Sequence, residues 1–73
     1  MIVDAYKSLK ENSTYVFVPA GKDPNTACPD LGPYQPYPPV TGRDLTIHPT
    51  GNAAEVIKDI QDKGYHVGRR VIN

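Results

Sequence analysis

Three side chains of this sequence have types that support nucleophilic or metal chemistry: Cys28, His48 and His66. A catalytic cysteine needs a nearby cation or a helix N-terminus to lower the pKa of its thiol, but Ala27 and Pro29 flank Cys28. A structural zinc site takes four nitrogen or sulfur ligands, and the spacing of these three residues matches no metal motif. We therefore predict no catalytic residue, no metal site, no cofactor and no enzyme activity. An enzyme would require Cys28 within hydrogen-bond reach of His48 or His66.

The most distinctive segment is the tract at positions 33–39, which reads Pro-Tyr-Gln-Pro-Tyr-Pro-Pro. Prolines at positions 33, 36 and 39 repeat every three residues, which is the period of a polyproline II helix. Such a preformed rod loses little entropy on docking, so the aromatic grooves of partner proteins recognise it. A binding role would use Tyr34, Pro36, Tyr37 and Pro39. The alternatives are a disordered linker, or a cover over a sheet face of the same domain, which we favour.

Aromatic and basic side chains on the predicted strands are the ingredients of a sheet that stacks single-stranded bases. They are Tyr15, Phe17, Tyr65, Arg69 and Arg70. The interleaved basic and aromatic residues of a ribonucleoprotein motif are missing, and eight Lys plus Arg balance eight Asp plus Glu. Binding to many phosphates needs a basic excess, which this formal net charge of zero does not provide. Weak nucleic-acid binding, with Arg43 as a further cation, is therefore the alternative function.

The elements that would position these residues begin with a β-hairpin. Alternation over residues 2–7 and the β-branched and aromatic run 15–18 predict two strands, joined by the polar residues 8–13. Pro19 ends the second strand because it has no backbone N–H for the ladder. Seven of the eight prolines lie between positions 19 and 39. They predict an irregular connection without helix over residues 19–41, which is either functional or a surface cover.

The remaining residues predict a strand, a helix and a final strand. Residues 43–48 alternate, and Asn52 with Glu55 offers an N-cap and capping box for the helix. The helix has an apolar stripe at helical spacing, formed by Ala53, Val56, Ile57 and Ile60. Gly64 occupies the position where a left-handed residue ends a helix, and residues 65–72 alternate as the last strand.

A strand, helix and strand joined this closely cross over right-handed and bring two strands parallel if they share one sheet. We therefore predict an α+β fold with a small mixed sheet of three or four strands and one main helix on one face. Residues 1–73 form a single domain, made of the β-hairpin, the Pro-rich loop and the β-α-β unit. Because Tyr15 and Phe17 alternate with Val16 and Val18, the second strand is apolar on both faces. Either the Pro-rich segment or a second copy of the chain must cover the other face.

The first residues and the cysteine content indicate the cellular compartment of the protein. The start MIVDAYKSLK lacks the basic and apolar regions of a secretion signal, and no apolar run approaches the roughly 20 residues that span a bilayer. Cys28 is the only cysteine, so no internal disulfide forms. We expect a cytoplasmic protein without a membrane partner.

Short motifs near both ends of the chain are similar to those of a known protein family. The set comprises Tyr6-Lys7-Ser8 with Lys10, Thr14-Tyr15-Val16-Phe17-Val18, Asp59-Ile60 and Lys63-Gly64-Tyr65. It resembles the YcgL-domain family of small bacterial proteins, which open with a Tyr-Lys/Arg-Ser strand and carry a late helix ending in Gly-Tyr. The middle departs from that family, since Pro29-Asp30-Leu31-Gly32 and the tract replace a helical Pro-Glu-Glu-Leu region. The resemblance implies a compact bacterial α/β domain of undefined biochemical role, with no catalytic residue to carry over.

These observations favour an interaction or accessory module whose partner is another protein. The sheet face or the tract would form the contact, and the edge of the final strand would allow a homodimer. The predicted partner-binding residues are Tyr34, Pro36, Tyr37, Pro39, Arg69 and Arg70.

Overall fold

A computed structural model describes residues 1–45 and 53–69 of the chain. Its strands are β1 (Ile2–Ser8), β2 (Thr14–Pro19), β3 (Tyr34–Pro36), β4 (Arg43–Asp44) and β5 (His66–Arg69). Its helices are α1 (Pro24–Ala27) and α2 (Ala53–Lys63), and two 3-10 turns cover Pro29–Leu31 and Pro38–Val40. Three predictions lie outside the described residues: the strand at positions 46–48, the N-cap Asn52 and the strand at positions 70–72.

The five strands form one sheet in the order β3-β1-β2-β5, with β4 also on β1. This confirms the predicted α+β fold with one main helix, and the sheet has five strands rather than three or four. All four pairings of the described strands are antiparallel, so the parallel pair expected of a β-α-β unit does not occur among them. The reason is that β4 pairs with β1 while β5 pairs with β2. Helix α2 therefore follows β4 and precedes β5 in the chain, and these two strands lie at opposite edges of the sheet.

Helix α2 covers one face of the sheet with its predicted apolar stripe. Val56, Ile57 and Ile60 are buried, and Val56 and Ile60 pack with Val3 of β1. The half-buried side chains of Phe17, Val40 and Leu45 complete this cluster. The periodicity of the sequence thus correctly predicted which side of the helix contacts the sheet.

Gly64 ends helix α2 in the predicted left-handed conformation. Its φ is +88°, and its N–H donates to Ile60 O at 2.8 Å. A residue with this φ allows the chain to reverse from the helix into β5 within two residues, a conformation that glycine adopts without steric cost.

The segment after β2 covers the opposite face. Cys28 is buried against Val16 and Val18, and the side chains packed around them are Tyr6, Ala27, Leu31, Tyr34, Tyr65 and Val67. The expectation that the Pro-rich segment folds back over the sheet is therefore confirmed for residues 24–31. Its two helical turns correct the prediction that prolines exclude helix from this segment.

Proline is compatible with these helical turns because of its position in them. Pro24 and Pro29 each stand at the start of a turn, where a backbone N–H would have no partner within the helix. Asp23 caps α1, since its side chain accepts the Asn25 N–H at 2.9 Å.

The carboxylate of Asp4 in β1 accepts hydrogen bonds from both ends of the segment between β2 and β4. Asp4 Oδ2 accepts the Gly21 N–H at 3.1 Å, and Asp4 Oδ1 accepts the Gly42 N–H at 2.7 Å. Within residues 1–45 and 53–69, no helix has the length and apolar character needed to cross a membrane.

Candidate functional site

The tract at positions 33–39 joins the sheet through residues 34–36 instead of forming the polyproline II rod, which was one alternative for it. Residues 34–36 pair with β1, with Pro36 opposite Tyr6 and Tyr34 opposite Ser8. Proline is tolerated there because β3 is an edge strand. The Tyr37 N–H then donates to Ala5 O at 3.0 Å, which extends the ladder by one residue. Strand alternation consequently sends the Tyr34 and Tyr37 side chains to opposite faces of the sheet.

Tyr34 belongs to the covered face and acts there as part of the packing. Its hydroxyl donates to Cys28 O, and its ring packs in the cluster of Val16 and Val18. Burial, followed by the contact with Cys28, raises the pKa of the Tyr34 phenol well above its usual range. Tyr34 is therefore a neutral, committed hydrogen-bond donor on the covered face, and its role in binding a partner stays a prediction from the sequence.

Tyr37 lies on the helix face and forms an aromatic groove with residues of β2 and β5. The groove has a volume of about 290 Å³ and is lined by Tyr15, Phe17, Tyr37, Gly68 and Arg69. The ring centroids of Tyr15 and Tyr37 are 5.0 Å apart, with their planes tilted by 58°. This geometry is typical of a favourable aromatic pair. The two phenol rings thus form one wall of the groove.

Gly68 forms the open floor of the aromatic groove. It pairs with Tyr15, and a Cβ atom built on it would lie 3.4 Å from Phe17 Cε1. Its φ is not positive, so the backbone does not require glycine at this position. The missing side chain leaves the Phe17 ring uncovered near Cε1, beside Tyr15.

A pair of opposite charges lies at the end of β5. Arg69 Nη2 lies 3.9 Å from Glu11 Oε1, and both side chains are exposed to solvent. An exposed pair at this distance contributes little to stability. The carboxylate partly offsets the positive charge of the arginine.

The inner side of the groove is supported by a contact between α2 and β5. His66 Nδ1 lies 2.7 Å from Asp59 Oδ2, and the His66 ring lies 5.7 Å from the Phe17 ring. The hydrogen bond with His66 lowers the pKa of the Asp59 carboxyl below its usual range. The histidine thus links helix α2 to the ring that backs the groove.

The structure separates the residues that a cysteine-based enzyme would need. Cys28 is buried on the face covered by α1, whereas His66 contacts Phe17 and Asp59 on the face covered by α2. The sheet lies between them, so this pair cannot act as nucleophile and base. His48 lies outside the described residues. Among the residues that the structure describes, no three His, Cys, Asp or Glu side chains form a metal-binding group.

The predicted partner-binding residues are divided between two surfaces. Tyr37 and Arg69 line the aromatic groove, while Tyr34 and Pro36 border a second depression on the other face. That depression measures about 420 Å³ and is lined further by Tyr6, Gly21, Lys22, Asp23, Pro24 and Asn25. The side chain of Pro39 and all of Arg70 lie outside the described part of the chain.

Sequence reasoning missed the role of Gly68 and grouped the aromatic residues differently. Tyr65 packs with Val67 on the face opposite Tyr15 and Phe17, so it does not join them. A glycine inside a strand pattern often marks a place where another group approaches closely. Gly68 lies inside the strand predicted for residues 65–72, so the sequence did contain this indication of the groove.

The fold and the groove together define a small α+β domain with one aromatic depression on its helix face and a more polar depression on the other. Comparison of the chain with protein-family models, with curated proteins and with solved structures finds no match in any of the three.

Proposed function

We propose that this protein is a non-enzymatic interaction module that binds a segment of another protein in its aromatic groove. The observation that carries this proposal is the accessible aromatic wall of Tyr15 and Tyr37 beside the bare Gly68. Tyrosine is enriched among the residues that dominate the energy of protein interfaces, because it combines a large apolar ring with a polar end. Because the backbone does not require glycine at position 68, its missing side chain supports the interpretation that the groove is kept open for a ligand.

The charge distribution favours a protein partner over a nucleic acid. Arg69 shares its surroundings with Glu11, and the formal net charge of the chain is zero. Arg43 pairs with Val3, which in turn lies opposite Pro19 at the end of β2, whereas Arg69 pairs with Thr14 at the start of β2. These two cations therefore lie at opposite ends of the sheet and do not form a row of positive charge. Two separate cations release few counterions on binding a phosphate backbone.

Site-directed photo-crosslinking in cells that contain the protein tests the proposal. A benzophenone amino acid replaces Tyr37 in the groove, and in a control chain it replaces Thr26, which is exposed on α1. We expect protein adducts from position 37 that a second change, Gly68→Val, strongly reduces. The same adducts from position 26, or adducts that persist in the Gly68→Val chain, would contradict the proposal.

The alternative, nucleic-acid binding, rests on Tyr15 and Phe17 standing on one face of β2. A mobility-shift titration with single-stranded oligonucleotides over a range of salt concentrations addresses it directly. Binding at low salt with a steep salt dependence would support the alternative, and absence of binding at low salt would remove it. The cytoplasmic location, the bacterial source, the homodimer and the YcgL-like relationship stay predictions from the sequence.

A further inference from the structure

We propose that the aromatic groove binds a tyrosine side chain of the partner protein, whose phenol O–H donates a hydrogen bond to Nε2 of His66. This inference rests on the proposed function and names the chemical group that the groove takes from its partner. It follows from three observations: the contact that places the proton on the His66 ring, the position of Nε2 beside Gly68, and the aromatic walls.

The contact with Asp59 determines which nitrogen of the His66 ring can accept a hydrogen bond. His66 Nδ1 lies 2.7 Å from Asp59 Oδ2. The hydrogen bond with His66 lowers the pKa of the Asp59 carboxyl, so this group is ionised near neutral pH and can only accept. The proton of the neutral imidazole therefore lies on Nδ1, and Nε2 carries a lone pair.

This lone pair lies beside the floor of the aromatic groove. His66 and Gly68 are two positions apart in β5, and His66 pairs with Phe17, so all three belong to the same face of the sheet. A Cβ atom built on Gly68 would lie 3.9 Å from His66 Nε2 and 3.4 Å from Phe17 Cε1. Because glycine has no such atom, a ligand atom can take this position and approach the lone pair.

The walls of the groove match the ring of a tyrosine. Tyr15, Phe17 and Tyr37 line the groove, and aromatic rings pack favourably against one another in tilted and offset arrangements. A phenol carries its O–H at the tip of the ring, so the ring can contact the walls while the tip reaches Nε2. A phenylalanine would exclude water from the same acceptor without giving it a donor, which costs free energy. An aromatic groove with this acceptor at its floor therefore favours tyrosine over phenylalanine.

Two amino-acid amides that differ by one hydroxyl test this inference: N-acetyl-tyrosinamide and N-acetyl-phenylalaninamide. The isotopically labelled full chain is titrated with each amide at pH 8, and NMR shifts at Phe17, His66 and Gly68 give the two dissociation constants. We expect N-acetyl-tyrosinamide to bind about 3- to 10-fold more tightly, which corresponds to one hydrogen bond. Long-range proton–nitrogen spectra of the His66 ring report its tautomer and should show the proton on Nδ1.

The variant His66→Asn separates the acceptor from the structural role of the histidine. The asparagine amide keeps an N–H donor near the position of Nδ1 for Asp59, whereas no atom replaces Nε2. We expect both amides to bind this variant equally, with the affinity that the natural chain has for N-acetyl-phenylalaninamide. Retained binding of N-acetyl-phenylalaninamide shows that the groove of the variant is folded. The measurements on the natural chain decide the question even if the variant does not fold.

Four results would each overturn the inference. In the natural chain they are the absence of saturable shifts with N-acetyl-tyrosinamide, equal affinity for the two amides, and a His66 ring with its proton on Nε2. The fourth is a preference for N-acetyl-tyrosinamide that persists in His66→Asn, because the hydroxyl would then donate to another acceptor.

Failure of this inference is distinguishable from failure of the proposed function. The photo-crosslinking at position 37 is repeated in lysate with an excess of N-acetyl-tyrosinamide, which we expect to compete with the protein adducts. If groove-dependent adducts form and the amide leaves them unchanged, the interaction module stands and its ligand has another chemistry. If no such adducts form, the proposed function is wrong, and a remaining preference for N-acetyl-tyrosinamide would assign the groove to a free phenolic ligand.

Discussion

Asp59 Oδ2 lies 2.7 Å from His66 Nδ1, and this contact joins helix α2 to strand β5 across the turn at Gly64. The His66 ring in turn lies against Phe17, which lines the aromatic groove. The carboxylate therefore holds the helix in register with the strand that forms the groove floor. We therefore expect the Asp59–His66 contact to contribute to the stability of the fold.

The first prediction concerns the stability of the protein in acid. The hydrogen bond with His66 lowers the pKa of Asp59 in the folded state, so the carboxylate form is favoured by folding. The resulting stability is present above the ordinary pKa of 3.8 and is lost as the pH falls through the lowered value. We expect Asp59→Asn to flatten the decrease of melting temperature between pH 5 and pH 2.

The matched control for this acid dependence is Asp62→Asn, which changes an exposed carboxylate on the same helix. We expect its melting temperature to follow that of the natural chain at each pH. If Asp59→Asn and Asp62→Asn show the same pH dependence, the contact with His66 does not contribute to stability.

The second prediction compares two glycines. Gly64 has a φ of +88°, a conformation that strains residues with a Cβ atom, so Gly64→Ala should destabilise the protein by about 1 kcal/mol. Gly68 lies in a strand without positive φ, and Gly68→Ala should change the unfolding free energy by less than about 0.5 kcal/mol. Urea unfolding of both variants measures the difference. Equal effects would show that backbone conformation does not distinguish the two positions.

The third prediction concerns a buried hydroxyl. Ser8 Oγ donates to Leu31 O at 2.6 Å and accepts the N–H groups of Lys10 and Glu11 at 3.2 and 3.1 Å. Ser8→Ala leaves these groups without this partner and should cost about 1–3 kcal/mol in urea unfolding. Faster amide exchange at positions 10 and 11 would locate the effect at the hairpin turn. Exchange rates like those of the natural chain would argue against this role.

The fourth prediction tests the core beneath helix α2. Ile60 is 5 % exposed and packs with Val3 and Val56, so Ile60→Ala should cost about 2–5 kcal/mol. Leu9 is 56 % exposed, and Leu9→Ala removes a comparable side chain that contributes little burial. Thermal unfolding of the pair is the measurement, and a similar loss of melting temperature in both variants would contradict this packing.

Much of the local structure followed from short-range patterns. The hairpin was visible in the alternation around residues 2–18, and the face of α2 was visible in the spacing of Val56, Ile57 and Ile60. These features depend on the side-chain periods of two and 3.6 residues, which operate over one or two turns of chain. Gly64 as the helix end was likewise a local signal.

The Pro-rich segment shows where local reasoning failed. Its prolines predicted an irregular connection, yet Pro24 and Pro29 begin helical turns that bring Cys28 onto Val16 and Val18. Burial of the apolar sheet face stabilises this conformation, which the number of prolines alone does not predict. Proline position within a turn, rather than proline number, decided the outcome.

The sequence by itself determined the α+β composition, the two elements of the hairpin, the buried side of α2 and the need for a second cover on the sheet. Only the tertiary structure decided which strands pair and which side chains form the groove. Tyr15, Tyr37 and Gly68 are far apart in the chain and meet because β3 extends one edge of the hairpin while β5 extends the other. Strand pairing is set by non-local packing that no single segment encodes, and the groove exists only because those pairings place β5 beside β2 and bring the end of β3 to the other side of β1.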